Sequence, residues 1–290
     1  MIQIVDVYKS YGKTVALNGI SVKFSDCRVF GIVGPNGSGK TTLLKIISGL
    51  INYNHGEIYI DGVKLNDYHT KVIASFIEEA NFYPGLTGIE NLCYLLKISE
   101  REIQAHQDIF EIFQIKEYIG KKFKSYSLGM RQRLGLVYTF LQDKPYLLFD
   151  EPFNGLDPSG VRIFKEVVND QVRAKGKTVI IVSHSINDLQ ELCDEIILIN
   201  QGRNVAKIKR NEGEGHYFYQ LYFFAYDHLH VAQKILQKEG AVIEDQYLII
   251  KVQEKEAISE VIRKVQHLSL GEVALVKQNL TDIYFKYLGE

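Results

Sequence analysis

Apolar and polar positions alternate in two early segments, Ile2, Ile4 and Val7, then Ile20, Val22 and Phe24. A period of two predicts strands with one buried face. Arg28-Val29-Phe30-Gly31-Ile32-Val33 is apolar throughout after Arg28, the pattern of a strand buried on both faces. A glycine-rich turn follows, then Leu43, Leu44, Ile46 and Ile47 at helical spacing, ending near Gly49. From about residue 85 to 142 the apolar spacing is helical. Thr87-x-x-Glu90 and Ser99-x-x-Glu102 read as capping boxes opening two of these helices. Tyr146–Phe149, Thr178–Val182 and Glu195–Ile199 are further buried strands. Between them, Asp157-Pro158 supplies an N-cap and an N1 proline for a helix that Gly176 ends, and another helix is expected near 186–193. Buried strands alternating with helices predict an α/β fold with a parallel sheet core. The first strands form an N-terminal antiparallel β element, and the helical insert forms a lobe.

Past residue 212 the pattern changes. Tyr217–Tyr226 reads as a strand, 228–239 as a helix, 241–253 as two strands around Asp245-Gln246, 255–267 as a helix and 272–277 as a strand. This β-α-β-β-α-β order predicts a small ferredoxin-like α+β domain, followed by a last helix near 280–288. The expected domains are 1–211 and 212–290.

The phosphate-binding pattern G-x-x-x-x-G-K-[ST] is complete in Gly34-Pro35-Asn36-Gly37-Ser38-Gly39-Lys40-Thr41. Its glycines let successive backbone N–H groups turn inward toward phosphate oxygens, and the following helix adds its positive end. Lys40 is placed for the β- and γ-phosphates, and the Thr41 hydroxyl for Mg2+. A chain of this length meets the pattern by accident about once in a hundred. Here it also lies between a buried strand and a helix, so the chain is expected to bind a nucleoside triphosphate as a P-loop NTPase.

Tyr146–Phe149 runs into Asp150-Glu151, two carboxylates at the C-terminal edge of a strand, where such sheets bind ligands. Asp150 suits a magnesium role. Glu151 suits the orientation or deprotonation of an attacking water. His184 follows the strand Thr178–Val182, again at that edge, where it can hydrogen-bond a γ-phosphate and the water.

With these pieces in order, residues 1 to about 210 resemble an ATP-binding cassette (ABC) transporter ATPase. The discriminating segment is Tyr126-Ser127-Leu128-Gly129-Met130-Arg131-Gln132-Arg133-Leu134, which is similar to the family's LSGGQ signature and its following QR. The resemblance implies that Ser127, Leu128, Gly129 and Met130 contact ATP held by a second subunit, with two chains arranged head to tail. It also implies a D-loop at Asn154-Gly155-Leu156-Asp157, an adenine-stacking aromatic at Tyr11, and Thr42 among the nucleotide-binding residues. Three positions depart from the family: Leu128 replaces a glycine, Met130 replaces a glutamine, and Glu78 stands where the Q-loop glutamine is usual. A carboxylate at Glu78 keeps an oxygen for magnesium but loses the amide donor. Glu78, the C-terminal domain and the ending Leu280-Thr281-Asp282-Ile283-Tyr284-Phe285 resemble the bacteriocin and drug-resistance exporter group.

The implied cofactors are ATP and Mg2+, and the implied partners are integral-membrane permease subunits and a second ABC ATPase subunit, with a homodimer expected. The net charge of -1 gives no basic field for nucleic acid, and no apolar run approaches the ~18 residues of a membrane span. Three widely spaced cysteines and the absence of a leader-like apolar segment suit a reducing compartment. A cytoplasmic protein, peripheral on the inner face of the membrane, is therefore expected. The alternatives are a soluble ABC ATPase acting on DNA or ribosomes, and a P-loop kinase or GTPase. The first usually carries a coiled-coil insertion or a second cassette, and GTPases carry an N-K-x-D. The chain has none of these.

Overall fold

The structure, a computed structural model, describes residues 1–65, 69–77, 82–209, 217–244, 247–252 and 255–276. They form two compact units, Met1–Lys209 and Arg210–Glu290.

In the first unit, strands β1 (Ile2–Tyr11), β2 (Thr14–Phe24), β4 (His55–Ile60) and β5 (Val63–Lys64) form an antiparallel sheet in the order β2-β1-β4-β5. Ile4 and Val7 are three residues apart yet both buried. A register shift between them, with Asp6 at φ 47°, re-aims the strand, as a bulge does. The backbone N–H of Asp6 donates to the Ser21 hydroxyl, and that hydroxyl donates back to the Asp6 carboxylate, both at 2.9 Å.

The second sheet holds β3 (Val29–Val33), β6 (Ile73–Phe76), β7 (Tyr146–Asp150), β8 (Thr178–Ser183), β9 (Glu195–Asn200) and β10 (Arg203–Lys209). Its order is β10-β9-β3-β8-β7-β6. The pairs β3–β8, β3–β9, β7–β8 and β6–β7 are parallel, and β10 runs antiparallel at one edge. Every residue of β3, β7 and β8 is buried. The helix Lys40–Ile47 lays Leu43, Leu44, Ile46 and Ile47 into one core with Ile2, Ile4, Phe24 and Ile32. Each such side chain removed from water stabilises the fold by ~1.5–3 kcal/mol.

The expected alternation of strands and helices is therefore present, with additions. The pattern did not predict β4, β5, β6 or β10. The last exposes most of its Arg203–Lys209 side chains and so carries little apolar signal. The helix expected near 186–193 is shorter, Ile186–Gln190.

The insert contains the helices Gly88–Leu96, Glu100–Gln104, Gln107–Ile112 and Leu128–Leu141. Both predicted capping boxes are formed, at Thr87/Glu90 and Ser99/Glu102. A bridge between Thr87 and Lys122 ties the start of the insert to the loop before its last helix.

In the second unit, β11 (Tyr217–Phe223), β12 (Val242–Glu244), β13 (Tyr247–Val252) and β14 (Leu270–Val276) form an antiparallel sheet ordered β12-β13-β11-β14. The helices Tyr226–Ile235 and Ile258–Val265 cover it around a core that includes Leu221, Leu229, Leu248 and Val261. The first strand ends at Phe223, earlier than the pattern predicted, and Tyr226 opens the following helix. The expected turn at Asp245-Gln246, the ending 280–285 and the last helix lie outside the described residues.

Candidate functional site

The site lies along the C-terminal ends of β3, β8 and β7. Parallel register sets Val33 beside Ser183 and Val182 beside Asp150. The residues that follow these strands, Gly34, His184 and Glu151, therefore emerge along one edge of the sheet.

Gly34 to Thr41 turns from β3 into the helix Lys40–Ile47. Gly39 caps that helix at φ 104°, a conformation that strongly favours glycine. A Cβ on Gly34 would collide with the Ile199 carbonyl oxygen, and one on Gly39 with the Ala16 carbonyl oxygen. Asn36 and Gly37 are exposed, Pro35 is half-buried, and Ser38 is 3% exposed, its hydroxyl without a hydrogen-bond partner among the described residues. Thr41 and Thr42 are half-buried in the first helical turn. Lys40 is buried and donates from Nζ to the carbonyl oxygens of Gly34 at 2.7 Å and Pro35 at 2.9 Å. Burial holds its ammonium below the ordinary lysine value, while the Glu151 and Asp150 carboxylates pull in the opposite direction. Both acids therefore act on this one cation.

Asp150 is the last residue of β7 and 9% exposed. Glu151 has φ 48°, and its N–H donates to the Val182 carbonyl at 2.9 Å. The sheet's hydrogen bonding thus continues one residue past the strand while the chain turns away. Its carboxylate meets His184, with Oε2 2.8 Å from Nδ1. These two residues, 33 apart in sequence, form one polar pair.

Ser127 caps the helix Leu128–Leu141, its hydroxyl accepting from the Met130 N–H at 3.3 Å. Leu128 is 59% exposed, and Gly129 and Met130 are half-buried. Asp157 caps the helix Pro158–Arg173, accepting from the Gly160 N–H and from the Ser159 hydroxyl. Ser159 and the Arg133 guanidinium hold its carboxyl down to about 2. Tyr11 ends β1 half-exposed, with Lys9 Nζ 5.1 Å from its ring centre. Glu78 lies outside the described residues.

The family described as ABC transporter matches residues 17–154. The Bacillus subtilis (strain 168) ABC transporter ATP-binding protein YhcH is 30% identical over 285 residues, which is 96% of this chain and 92% of YhcH. The chain belongs to the ABC transporter ATP-binding proteins. The lantibiotic transport ATP-binding protein SrtF of Streptococcus pyogenes is 32% identical over 210 residues, 71% of this chain and 90% of SrtF. Among solved structures, the dimeric ATP-binding cassette MJ0796 in a post-hydrolysis state with ADP and Pi aligns at TM-score 0.68 and 27% identity. It covers 72% of this chain and 99% of its own.

Within this ABC ATPase, the structure also connects residues to which the sequence reading gave no role. Gln132 Nε2 donates to the Pro152 carbonyl at 3.0 Å. Arg133 donates to Asp157 Oδ1 at 2.5 Å, to the Phe113 carbonyl at 2.9 Å and to Gln114 Oε1 at 3.1 Å. Both sit inside the signature segment. The sequence signal that marks them is their place as the QR that follows the signature, which by itself names no partner.

Proposed function

We propose that this ABC ATPase binds ATP with Mg2+ in the cradle 34–42 and hydrolyses it between two copies of the chain arranged head to tail. The cradle carries this reading. It offers glycines in left-handed backbone at Gly37 and Gly39, a buried lysine, and a buried Ser38 hydroxyl without a hydrogen-bond partner among the described residues, a set of groups that suits a triphosphate. In this reading Lys40 exchanges its two loop carbonyls for β- and γ-phosphate oxygens, a charge-assisted pairing. Tyr11 stacks on the adenine, worth ~1–3 kcal/mol.

Thr41 and Asp150 are hard oxygen donors of the kind magnesium takes, and they would hold it, with Glu78 as a third donor. When bound, the ion would neutralise charge on the β- and γ-phosphates. Glu151 orients the attacking water and accepts its proton. His184, which pairs with the Glu151 carboxylate, hydrogen-bonds the γ-phosphate and the attacking water. The helix led by Ser127, with Leu128, Gly129 and Met130, directs its N-terminal N–H groups and dipole at the γ-phosphate bound by the partner copy. Backbone donation persists with leucine and methionine in place of the family's glycine and glutamine.

The transport partners would be integral-membrane permease subunits, holding the chain at the inner face of the cell membrane. The exposed edge-to-face pair Tyr83–Tyr94, ring centres 5.0 Å apart, suits docking of such a partner. Among the described residues no helix is long and apolar enough to cross a membrane itself. Likeness to SrtF supports export of a drug, a peptide antibiotic or a similar compound. The unit 212–290 serves as an accessory domain.

The test is Glu151→Gln. Turnover should fall by about 10²–10⁴-fold, the usual worth of a positioned base, while ATP and Mg2+ drive the variant into a dimer visible by light scattering. Near-normal turnover would remove Glu151 from the base role, and a monomer at saturating ATP would remove the head-to-tail arrangement.

A further inference from the structure

The helix led by Ser127 is stitched along its first two turns to the segment that carries Glu151 and Asp157 of the same chain. Four contacts make the seam. The Leu128 side chain lies against Gly155, where an added Cβ would stand 3.1 Å from Leu128 Cγ. A Cβ on Gly129 would stand 2.8 Å from the Gly155 carbonyl oxygen, so the two backbones pass as closely as glycine permits. Gln132 reaches the Pro152 carbonyl at 3.0 Å and the Glu151 carbonyl at 3.5 Å. Arg133, its side chain 11% exposed, pairs with Asp157 while also holding Phe113 and Gln114 at the end of a lobe helix.

Side chains would ordinarily keep two such segments apart. Here paired glycines bring them together, and an amide and a guanidinium fasten them. Arg133 divides its hydrogen bonds among three residues on two separate segments, Phe113 and Gln114 at the end of a lobe helix and Asp157 at the start of another helix, more than holding its own helix requires. Bidentate and forked donation of this kind fixes orientation as well as distance.

We propose that Gln132 and Arg133 are positioning residues that make the seam stiff, so that a load taken at Ser127 is carried to the Glu151 backbone of the same chain. The inference rests on the head-to-tail reading above. In that arrangement Ser127 serves the partner's nucleotide and Glu151 serves its own, so the seam links the two sites. Closing one nucleotide under Ser127 sets the base at the other. Leu128, the departure from the family's glycine, adds its own contact with Gly155 to this seam.

The experiment compares Gln132→Leu, which keeps the bulk and removes the donor, with Arg133→Ala and Arg133→Lys. Steady-state ATP hydrolysis should show KM within threefold of the parent, kcat lowered at least tenfold and the Hill coefficient for ATP falling toward one. Arg133→Lys, which retains the ion pair with Asp157, should recover at least half of the lost kcat. Placed in the Glu151→Gln background, Gln132→Leu should still dimerise at the same ATP concentration within threefold. Unchanged kcat and Hill coefficient in Gln132→Leu would overturn the inference. So would a loss of kcat that tracks a lowered melting temperature in all three variants. Failure of Glu151→Gln alone to dimerise would instead fell the head-to-tail reading on which the inference stands.

Discussion

Gly34 has no room for a side chain, because the atom a Cβ would strike is the backbone carbonyl of Ile199 in the neighbouring strand. A carbonyl held in a parallel sheet cannot rotate aside as a surface side chain does. Gly34→Ala should therefore destabilise the first unit by ~1–3 kcal/mol, the usual cost of overpacking, and weaken ATP binding more than Asn36→Ala, whose position is exposed. Urea unfolding and binding of a fluorescent ATP analogue would check both. The turn 34–41 was legible from residue order because Gly34, Gly39, Lys40 and Thr41 stand at the four positions that the pattern fixes by type. The seam contacts of Gln132 and Arg133 were not. A polar residue on a helix is ordinarily solvated, and it is tertiary folding that brings up the acceptors, from the turn 151–157 for both residues and from Phe113 and Gln114 for Arg133.

Among the elements, the insert shows how far local chemistry reaches. Thr87-x-x-Glu90 satisfies two backbone donors reciprocally, the Glu90 N–H by the Thr87 hydroxyl at 3.2 Å and the Thr87 N–H by the Glu90 carboxylate at 2.6 Å. Such a start needs no tertiary partner, and the sequence announces it. Thr87→Ala should cost ~1 kcal/mol and speed hydrogen exchange at the amides of Gly88 to Glu90, with a smaller effect on the helix Leu128–Leu141. Elements that depend on neighbours behave differently. The strand β6 has four residues, Ile73–Phe76, and is defined by its parallel pairing to β7. The strand β10 is polar and exists through antiparallel pairing with β9. Short or polar strands carry no periodic signal long enough to read, so pairing decides them.

For the molecule as a whole, the two units hold separate cores. Leu221, Leu248, Ile250 and Val265 are fully buried within the second. Leu248→Ala should remove ~2–5 kcal/mol from that unit while leaving basal ATP turnover within twofold, checked by calorimetry beside a phosphate-release assay. An equal loss of turnover would show that the ATPase unit depends on the second core. What the sequence determined by itself was everything carried by residue type and short spacing. That includes the buried strands, the capped helices, the glycine-rich turn 34–41, the acid pair at 150–151 and the order of the described elements between 217 and 276. Tertiary structure alone decided which strands neighbour which, and hence that the strand ends carrying Gly34, His184 and Glu151, each expected at the sheet's C-terminal edge, lie side by side. It also decided that Arg133 finds Asp157. Short-range patterns report the faces a segment must bury, whereas partners far along the chain are chosen by packing and register, which no local pattern encodes.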